Sequence, residues 1–307
     1  MYSCVVVSMF VTYVCVLMAV GYFTLFERKA LACMQIRKGP NKVGVGGILQ
    51  PIADAVKLLS KQYLVPSRAN KLCFYFAPVF SFTLSLMLWH AFPFYYANYY
   101  VVFGLMYFFC VSSVSVFGTI MAGWASNSKY AMIGAIRGAA QAISYEVSFS
   151  LLALFCVFLR GGFSLSGVEF PGVALAFLAF PLFQMFLATM LAETNRAPFD
   201  LVEGESELVS GFNVEYSGVG FTLIFIAEYC SMLFMSVFVS VFWLGGFSAW
   251  FFSGPAVLVV KSLFVCFFFV LCRGALPRHR YDLLMSLTWK SFLPASLIGL
   301  LVTFWLS

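Results

Sequence analysis

From Leu72 to Ser128 the chain runs for 57 residues without one Lys, Arg, Asp or Glu. No water-soluble surface is made from such a stretch, since ordinary soluble domains are about 25% charged. In a bilayer it is expected: a helix of ~20 apolar residues crosses the hydrocarbon core. The stretch therefore reads as two spans, about 73–92 and 99–124, joined by a tight turn at Pro93–Asn98. The whole chain follows suit, with 63% hydrophobic and 10% charged residues. That excludes both a soluble globular domain and a disordered one.

The same reasoning over 307 residues predicts one all-α integral membrane domain, 1–307, of about eight spans. They fall at about 5–26, 73–92, 99–124, 141–159, 172–193, 218–244, 255–272 and 287–306. The first run, Val5 to Phe26, is too long for a signal-peptide core and lacks a basic segment before it, so it reads as a span. Basic residues alternate between loops. The odd loops hold fifteen: nine from Arg28 to Lys71, then Lys129, Arg137, Arg196, Arg273, Arg278 and Arg280; the even loops hold only Arg160. By the positive-inside rule the odd loops face the cytoplasm or mitochondrial matrix and both termini face the other side. The net charge of +6 is thus spread by topology and forms no nucleic-acid patch.

Two loops are too structured to be linkers. In the first, Gln50–Val65 places Ile52, Val56, Leu59 and Tyr63 on one helical face and Gln50, Asp54, Lys57 and Lys61 on the other. It reads either as a helix lying on the bilayer surface or as the wall of an opening for an amphiphilic ligand. The fifth loop, Asn195–Ser217, carries Asp200, Glu203, Glu205, Glu207 and Glu215 against a single Arg196. Its acids interleave with Pro198, Phe199, Leu201, Val202 and Phe212, the mixture of a folded loop with inward carboxylates rather than a solvated one.

Charges within spans are the sharpest functional signal, because a central one costs roughly 2.5–3.5 kcal/mol on insertion scales. Glu228 and Lys261 are placed near mid-span, and Glu146 and Glu193 near the inner face. They read as a proton or ligand path facing a polar interior, or, for Glu228 and Lys261, as a structural ion pair. Metal and haem chemistry find no support. No two of the nine Cys have CxxC spacing, most lie in apolar runs, and the two His, His90 and His279, are too few for a membrane haem.

These segments also carry a family resemblance. The run Glu27-Arg28-Lys29, then Gln35-Ile36-Arg37-Lys38-Gly39-Pro40-Asn41 and Leu49-Gln50-Pro51-Ile52-Ala53-Asp54, resembles the first loop of the chain 1 family of NADH–ubiquinone oxidoreductase, respiratory complex I. Ala192 through Val209, Gln141 through Glu146, and Pro277 through Asp282 are similar to further motifs of that family, in the same order. One departure is His279, where an apolar or aromatic residue is expected.

The resemblance implies an eight-helix subunit of the proton-pumping NADH:ubiquinone reductase, at the heel of its membrane arm. Such a subunit has no redox centre of its own. It forms the quinone tunnel, with ubiquinone as substrate, and links quinone reduction to proton translocation. NADH, FMN and iron–sulfur clusters are expected on partner subunits. The implied partners are the quinone-site and terminal-cluster subunits of the peripheral arm, small neighbouring membrane subunits and lipid. The implied quinone-channel residues are Glu27, Arg28, Arg37, Asp54, Lys57, Phe221 and Arg273. The implied proton-path and coupling residues are Glu146, Glu193, Arg196, Asp200, Glu203, Glu205, Glu207, Glu228 and Lys261, with Arg196 and Lys261 as counter-charges. The Phe excess, 38 residues, points to a small organellar genome and so to the mitochondrial inner membrane. A related membrane subunit of a hydrogenase-type complex, or a stand-alone ion transporter built from internal repeats and broken helices, is the competing reading; no repeat relates the two halves.

Overall fold

A computed structural model describes residues 2–94, 101–165, 175–202, 204, 209–248 and 253–306. Every long apolar run is helical, because a backbone in lipid must satisfy its own hydrogen bonds. In chain order the helices are α1 (Tyr2–Met34), α2 (Gln50–Ser60), α3 (Lys71–Leu88), α4 (Gly104–Ala125), α5 (Lys129–Arg160), α6 (Leu175–Leu178) and α7 (Phe180–Glu193). There follow α8 (Gly218–Phe242), α9 (Pro255–Ala275), α10 (Tyr281–Leu287) and α11 (Leu293–Leu306). A π-turn, Thr288–Phe292, joins the last two into one rod.

Seven helical stretches among the described residues are long and apolar enough to cross a membrane. The expected fifth span, 172–193, is different. Its described part is two pieces, α6 and α7, broken at Ala179. Pro181 explains the break, since its ring excludes the carbonyl four residues back from a continuous helix. The pieces still cover the depth of the bundle. Ala176 N–H donates to the carbonyl of Trp243 beyond the end of α8, while Ala192 and Glu193 lie beside Gln141, a third of the way along α5. Nineteen residues rise roughly 27 Å at helical pitch, close to the ~30 Å core.

Three spans overshoot the sequence-based bounds, the last by beginning at Tyr281 rather than 287. α1 continues eight residues past Phe26, and α5 begins at Lys129 rather than 141, so Arg137 lies in a helix and not in a loop. At 33 and 32 residues each reaches roughly 48 Å, so their basic ends extend beyond the hydrocarbon. In the first loop α2 stops at Ser60, where Lys61 turns to extended backbone. Tyr63 therefore leaves the expected helical face and packs among Phe74 and Tyr75.

α8 is the axis of the molecule, the most buried of the long helices, with α1, α2, α3 and α9 against it. α4 and α5 extend the bundle from α3, and α7 and α11 close on α5. Where they converge, Phe108 (α4), Phe149 (α5), Phe186 (α7) and Phe238 (α8) are all fully buried against one another, with ring centroids 4.6–6.2 Å apart. Dispersion between such rings, rather than burial from water, holds helices together in lipid. By contrast Ile52, Val56 and Leu59 of α2 point away from the protein while Asp54 turns toward it, as on a helix lying at the lipid surface.

If α6–α7 completes a crossing, the two termini share one side of the membrane. Tags at both termini should be digested together from that face, and exposed Cys33, on the basic end of α1, should react with an impermeant maleimide only from the opposite face. Termini on opposite faces would show that the broken helix does not cross.

Candidate functional site

A buried charged group is built around Glu27 of α1, 4% exposed. One carboxylate oxygen accepts from the Tyr229 hydroxyl of α8 at 2.5 Å. The other accepts from Arg273 of α9 and lies 3.7 Å from Arg196 of the fifth loop. The Arg196 guanidinium also sits over the Tyr229 ring, 4.4 Å from its centroid. A buried carboxylate is tolerable only when paired and hydrogen-bonded, and here three segments distant in sequence supply the partners. Arg196, expected as a counter-charge to the intramembrane acids, is thus found opposite Glu27.

Toward the surface a second pair ties α1 to α2. Arg28 donates to Asp54 at 2.6 Å, and Gln50 donates to the other oxygen of Asp54 at 3.0 Å. Lys57 is exposed one turn further along α2, and Arg37 is exposed in the loop beyond α1; neither joins the Glu27 group. Phe221 begins a ladder on one side of α8 in which Phe221 meets Phe225, and Phe225 meets Tyr229, at 4.3 and 6.4 Å between centroids. The ladder leads along α8 to Glu27. Near its start, Leu64 N–H donates to Ser217 Oγ, fastening the chain after α2 to the end of the fifth loop. Burial pushes the neighbouring Tyr63 phenol up to about 12, so it stays protonated.

Behind this group lies a cavity of about 110 Å³, lined by Glu193, Glu228, Asn195, Ser112, Ser115, Thr119 and Ser231 among others. Glu146 is beside it, within hydrogen-bond reach of Ser112 and close enough to Glu193 to interact electrostatically. Glu193 Oε2 and Asn195 Oδ1 are buried with no hydrogen-bond partner among the described residues. A polar cavity of this size holds several waters, at about 10–15 Å³ of probe-centre space each. The two groups stand back to back. Adjacent residues Glu228 and Tyr229 of α8 face the cavity and Glu27 respectively, and Asn195 and Arg196 of the fifth loop do the same.

The fifth loop is held in place by α5. Gln141, fully buried, donates to the carbonyls of Ala192 and Phe199 at 3.0 and 2.8 Å. Gly138 and Gly134 let the loop approach: a Cβ on Gly138 would come within 2.7 Å of Val202, and one on Gly134 within 3.1 Å of Gly211. The His279 ring stacks on Phe199 at 5.7 Å, so it acts as the aromatic residue expected there, and the His279 backbone N–H donates to the Pro198 carbonyl. Asp200 is half-buried in this loop; Glu203, Glu205 and Glu207 lie outside the described residues.

Lys261 overturns one expectation. It is not near mid-span but on the second turn of α9, and its ammonium donates to the carbonyls of Leu244, Gly246 and Ser248 beyond the end of α8. Leu244 is sixteen residues along the chain from Glu228, roughly 24 Å at helical rise. Lys261 and Glu228 therefore form no ion pair, and Lys261 is neither part of the carboxylate group nor its counter-charge. Among the described residues no three His, Cys, Asp or Glu side chains gather as a metal site. Tyr229 was missed by sequence reasoning, because a Tyr in an apolar span looks like any other aromatic; its place beside Glu228 was the one available signal.

Residues 7–304 match the family described as NADH dehydrogenase. The chain is 50% identical over 288 residues to NADH-ubiquinone oxidoreductase chain 1 of Anopheles gambiae, covering 92% of this chain and 90% of the relative. It is 50% identical over 304 residues to the chain 1 of Locusta migratoria, covering 95% and 94%. To a bacterial relative, an NADH-quinone oxidoreductase subunit of Paramagnetospirillum magneticum, it is 46% identical over 299 residues, covering 94% and 87%.

Glu27→Gln should leave two guanidinium groups facing each other without their shared anion. The expected loss of stability is somewhat less than the ~3–5 kcal/mol of a broken fully buried pair, because the Arg273 side chain is 37% exposed. Tyr229→Phe removes only the hydroxyl and keeps the ring under Arg196, for a loss of about 1.5–3 kcal/mol. Thermal inactivation of the purified assembly should rank parent, Tyr229→Phe and Glu27→Gln in falling order. Equal midpoints would show that the group does not hold these helices together.

Proposed function

The chain belongs to the NADH dehydrogenase family, and from that premise we propose that it is the membrane subunit of a mitochondrial NADH:ubiquinone oxidoreductase that guides quinone to its reduction site and links that reduction to proton translocation. The observation that carries this reading is the back-to-back placement of the Glu27–Arg196–Arg273–Tyr229 group and the Glu193–Glu228 cavity, two polar centres sharing α8 and the fifth loop. One faces the side where an amphiphile can arrive; the other lies among α3, α4, α8 and the start of the fifth loop.

Quinone leaves the bilayer between α1 and α2, past the Arg28–Asp54 pair. Its isoprenoid tail lies along the Phe221–Phe225 ladder of α8. Its headgroup moves toward Glu27 and Arg273, and the site is completed by peripheral-arm subunits, one of which brings the terminal iron–sulfur cluster. Arg37 and Lys57, exposed on the same loop, face those subunits. NADH oxidation and the FMN belong to the partners. Two electrons reduce the quinone to its dianion, and two protons complete the quinol. The transient negative charge is felt first by Arg273, Arg196 and Glu27, since a field acts strongly across a dry, low-dielectric interior.

Arg196 is bonded into the chain next to Asn195, so a change at Glu27 reaches the cavity by two routes that involve the same residues. The field acts directly on Glu228, and movement of the fifth loop shifts Glu193 and Asn195. Glu193, Glu228 and Glu146 then exchange protons as a coupled set rather than as separate sites. Asp200, Glu203, Glu205 and Glu207 form the outer acids of the path. The basic odd loops, α1's far end included, face the matrix, and both termini the intermembrane space. The break between α6 and α7 gives little support to a stand-alone transporter, because it lies at the level of Trp243, beyond the end of α8, and not at mid-depth where such proteins bind their ions.

Asp54→Asn should lower quinone reduction several-fold while reduction of an artificial acceptor upstream of the quinone continues. Glu228→Gln keeps shape and most hydrogen-bonding capacity but removes a proton site, so quinone turnover and proton pumping should fall together several-fold. Both are read on assembled complex in sealed vesicles. Loss of upstream activity along with quinone activity would assign Asp54 to assembly alone, and normal pumping in Glu228→Gln would remove the cavity from the path.

A further inference from the structure

At the turn between α4 and α5 the surface opens into a groove of about 490 Å³, lined chiefly by Trp124, Asn127, Ser128, Lys129, Met132 and Ile133. It lies far along α4 from the ring cluster at Phe108 and takes no part in the polar groups described above. Its place is set by the fold: two apolar spans end there, which puts it at the level of lipid headgroups. Trp124 is 52% exposed, and tryptophan is enriched at that level because its ring is apolar and its N–H polar.

The charge lining the groove has one sign. Lys129 is exposed on its rim and no acidic residue lines it. The segment before α3 is bonded to the same turn: Asn127 Nδ2 donates to the Arg68 carbonyl at 3.1 Å, and Asn70 N–H donates to the Ala125 carbonyl at 3.0 Å. Those bonds bring the backbone of Arg68 and Lys71, both exposed residues, alongside Lys129. Next to the groove the outward faces of the spans are bare and apolar, with Leu72, Phe117, Tyr130, Ile133 and Ile136 exposed.

We propose that this groove seats the headgroup of one acidic phospholipid. Its phosphate lies between Lys129 and the Arg68–Lys71 segment, Asn127 and Trp124 offer donors to the glycerol and phosphate oxygens, and its acyl chains lie along α4 and α5. A free phosphate ion would satisfy the charge but leave the apolar faces and much of the volume unfilled. A neighbouring apolar helix would cover the faces but bring nothing to meet the clustered positive charge. An acidic lipid matches both. The seat is independent of the quinone reading, since it uses none of the same residues.

The experiment uses the assembled complex in phosphatidylcholine membranes doped with a photoactivatable phosphatidylglycerol, followed by peptide mapping of the cross-links. Labelling is expected on the peptide that carries Trp124–Ile133, displaced by unlabelled phosphatidylglycerol but neither by phosphatidylcholine nor by inorganic phosphate. In Lys129→Gln with Arg68→Gln, half-maximal labelling should need roughly 25-fold more probe, about five-fold for each charge near an anionic surface, while quinone turnover in phosphatidylcholine alone is unchanged. Displacement by inorganic phosphate would make this a plain anion site and overturn the proposal. Displacement by phosphatidylcholine, or no labelling because a partner subunit covers the groove, would overturn it as well. The displacement series on the parent complex decides the matter if the double variant fails to assemble.

Discussion

One buried carboxylate organises the functional half of this protein. Glu27 meets Tyr229, Arg273 and Arg196, which come from α8, α9 and the fifth loop. Without these partners an anion at that depth would be too costly to keep. With them, the helix that opens the chain, the helix at its centre and the loop that carries five of its twelve acids are held in one arrangement. Any ligand that changes the charge near Glu27 must therefore be felt by all three. In the proposed function, a contact that the fold requires would also be the means of transmission.

The fifth loop links that carboxylate to the cavity at Glu193 and Glu228. It is clamped from above by Gln141, whose amide donates to carbonyls on both sides of the Arg196 turn. It is admitted by Gly134 and Gly138, where a side chain on α5 would collide with it. A loop held this closely can move only as a unit, so Asn195 in the cavity and Arg196 at Glu27 are shifted together. The opposite end of the bundle is built differently. There Lys261 fills a ring of carbonyls beyond α8, and four buried Phe rings pack around α8. That end is a packed frame of aromatic rings, with the Lys261 ammonium met by backbone carbonyls.

Much of this could be read from the residues alone. The charge-free stretch 72–128, the spacing of the apolar runs and the bias of Lys and Arg determined that the chain is a bundle of membrane helices and roughly where each begins and ends, because the bilayer imposes length and polarity on every span separately. The motifs around Glu27, Gln141, Glu193 and Pro277 determined the family. What only the tertiary structure decided is pairing. Sequence placed Glu228 and Lys261 at similar depth and Arg196 among the acids, yet Arg196 belongs to Glu27, Lys261 to the carbonyls beyond α8, and Glu228 to a cavity with Glu193. Tyr229 could not be told from the other aromatics of its span, and Pro181 did not by itself reveal that the fifth span is broken at Ala179. Span position along the chain follows from local hydrophobicity, which is one-dimensional. Which charge meets which depends on the rotation of each helix about its axis and on how loops fold back between helices, and those are set by packing among segments as much as 246 residues apart, as Glu27 and Arg273 are.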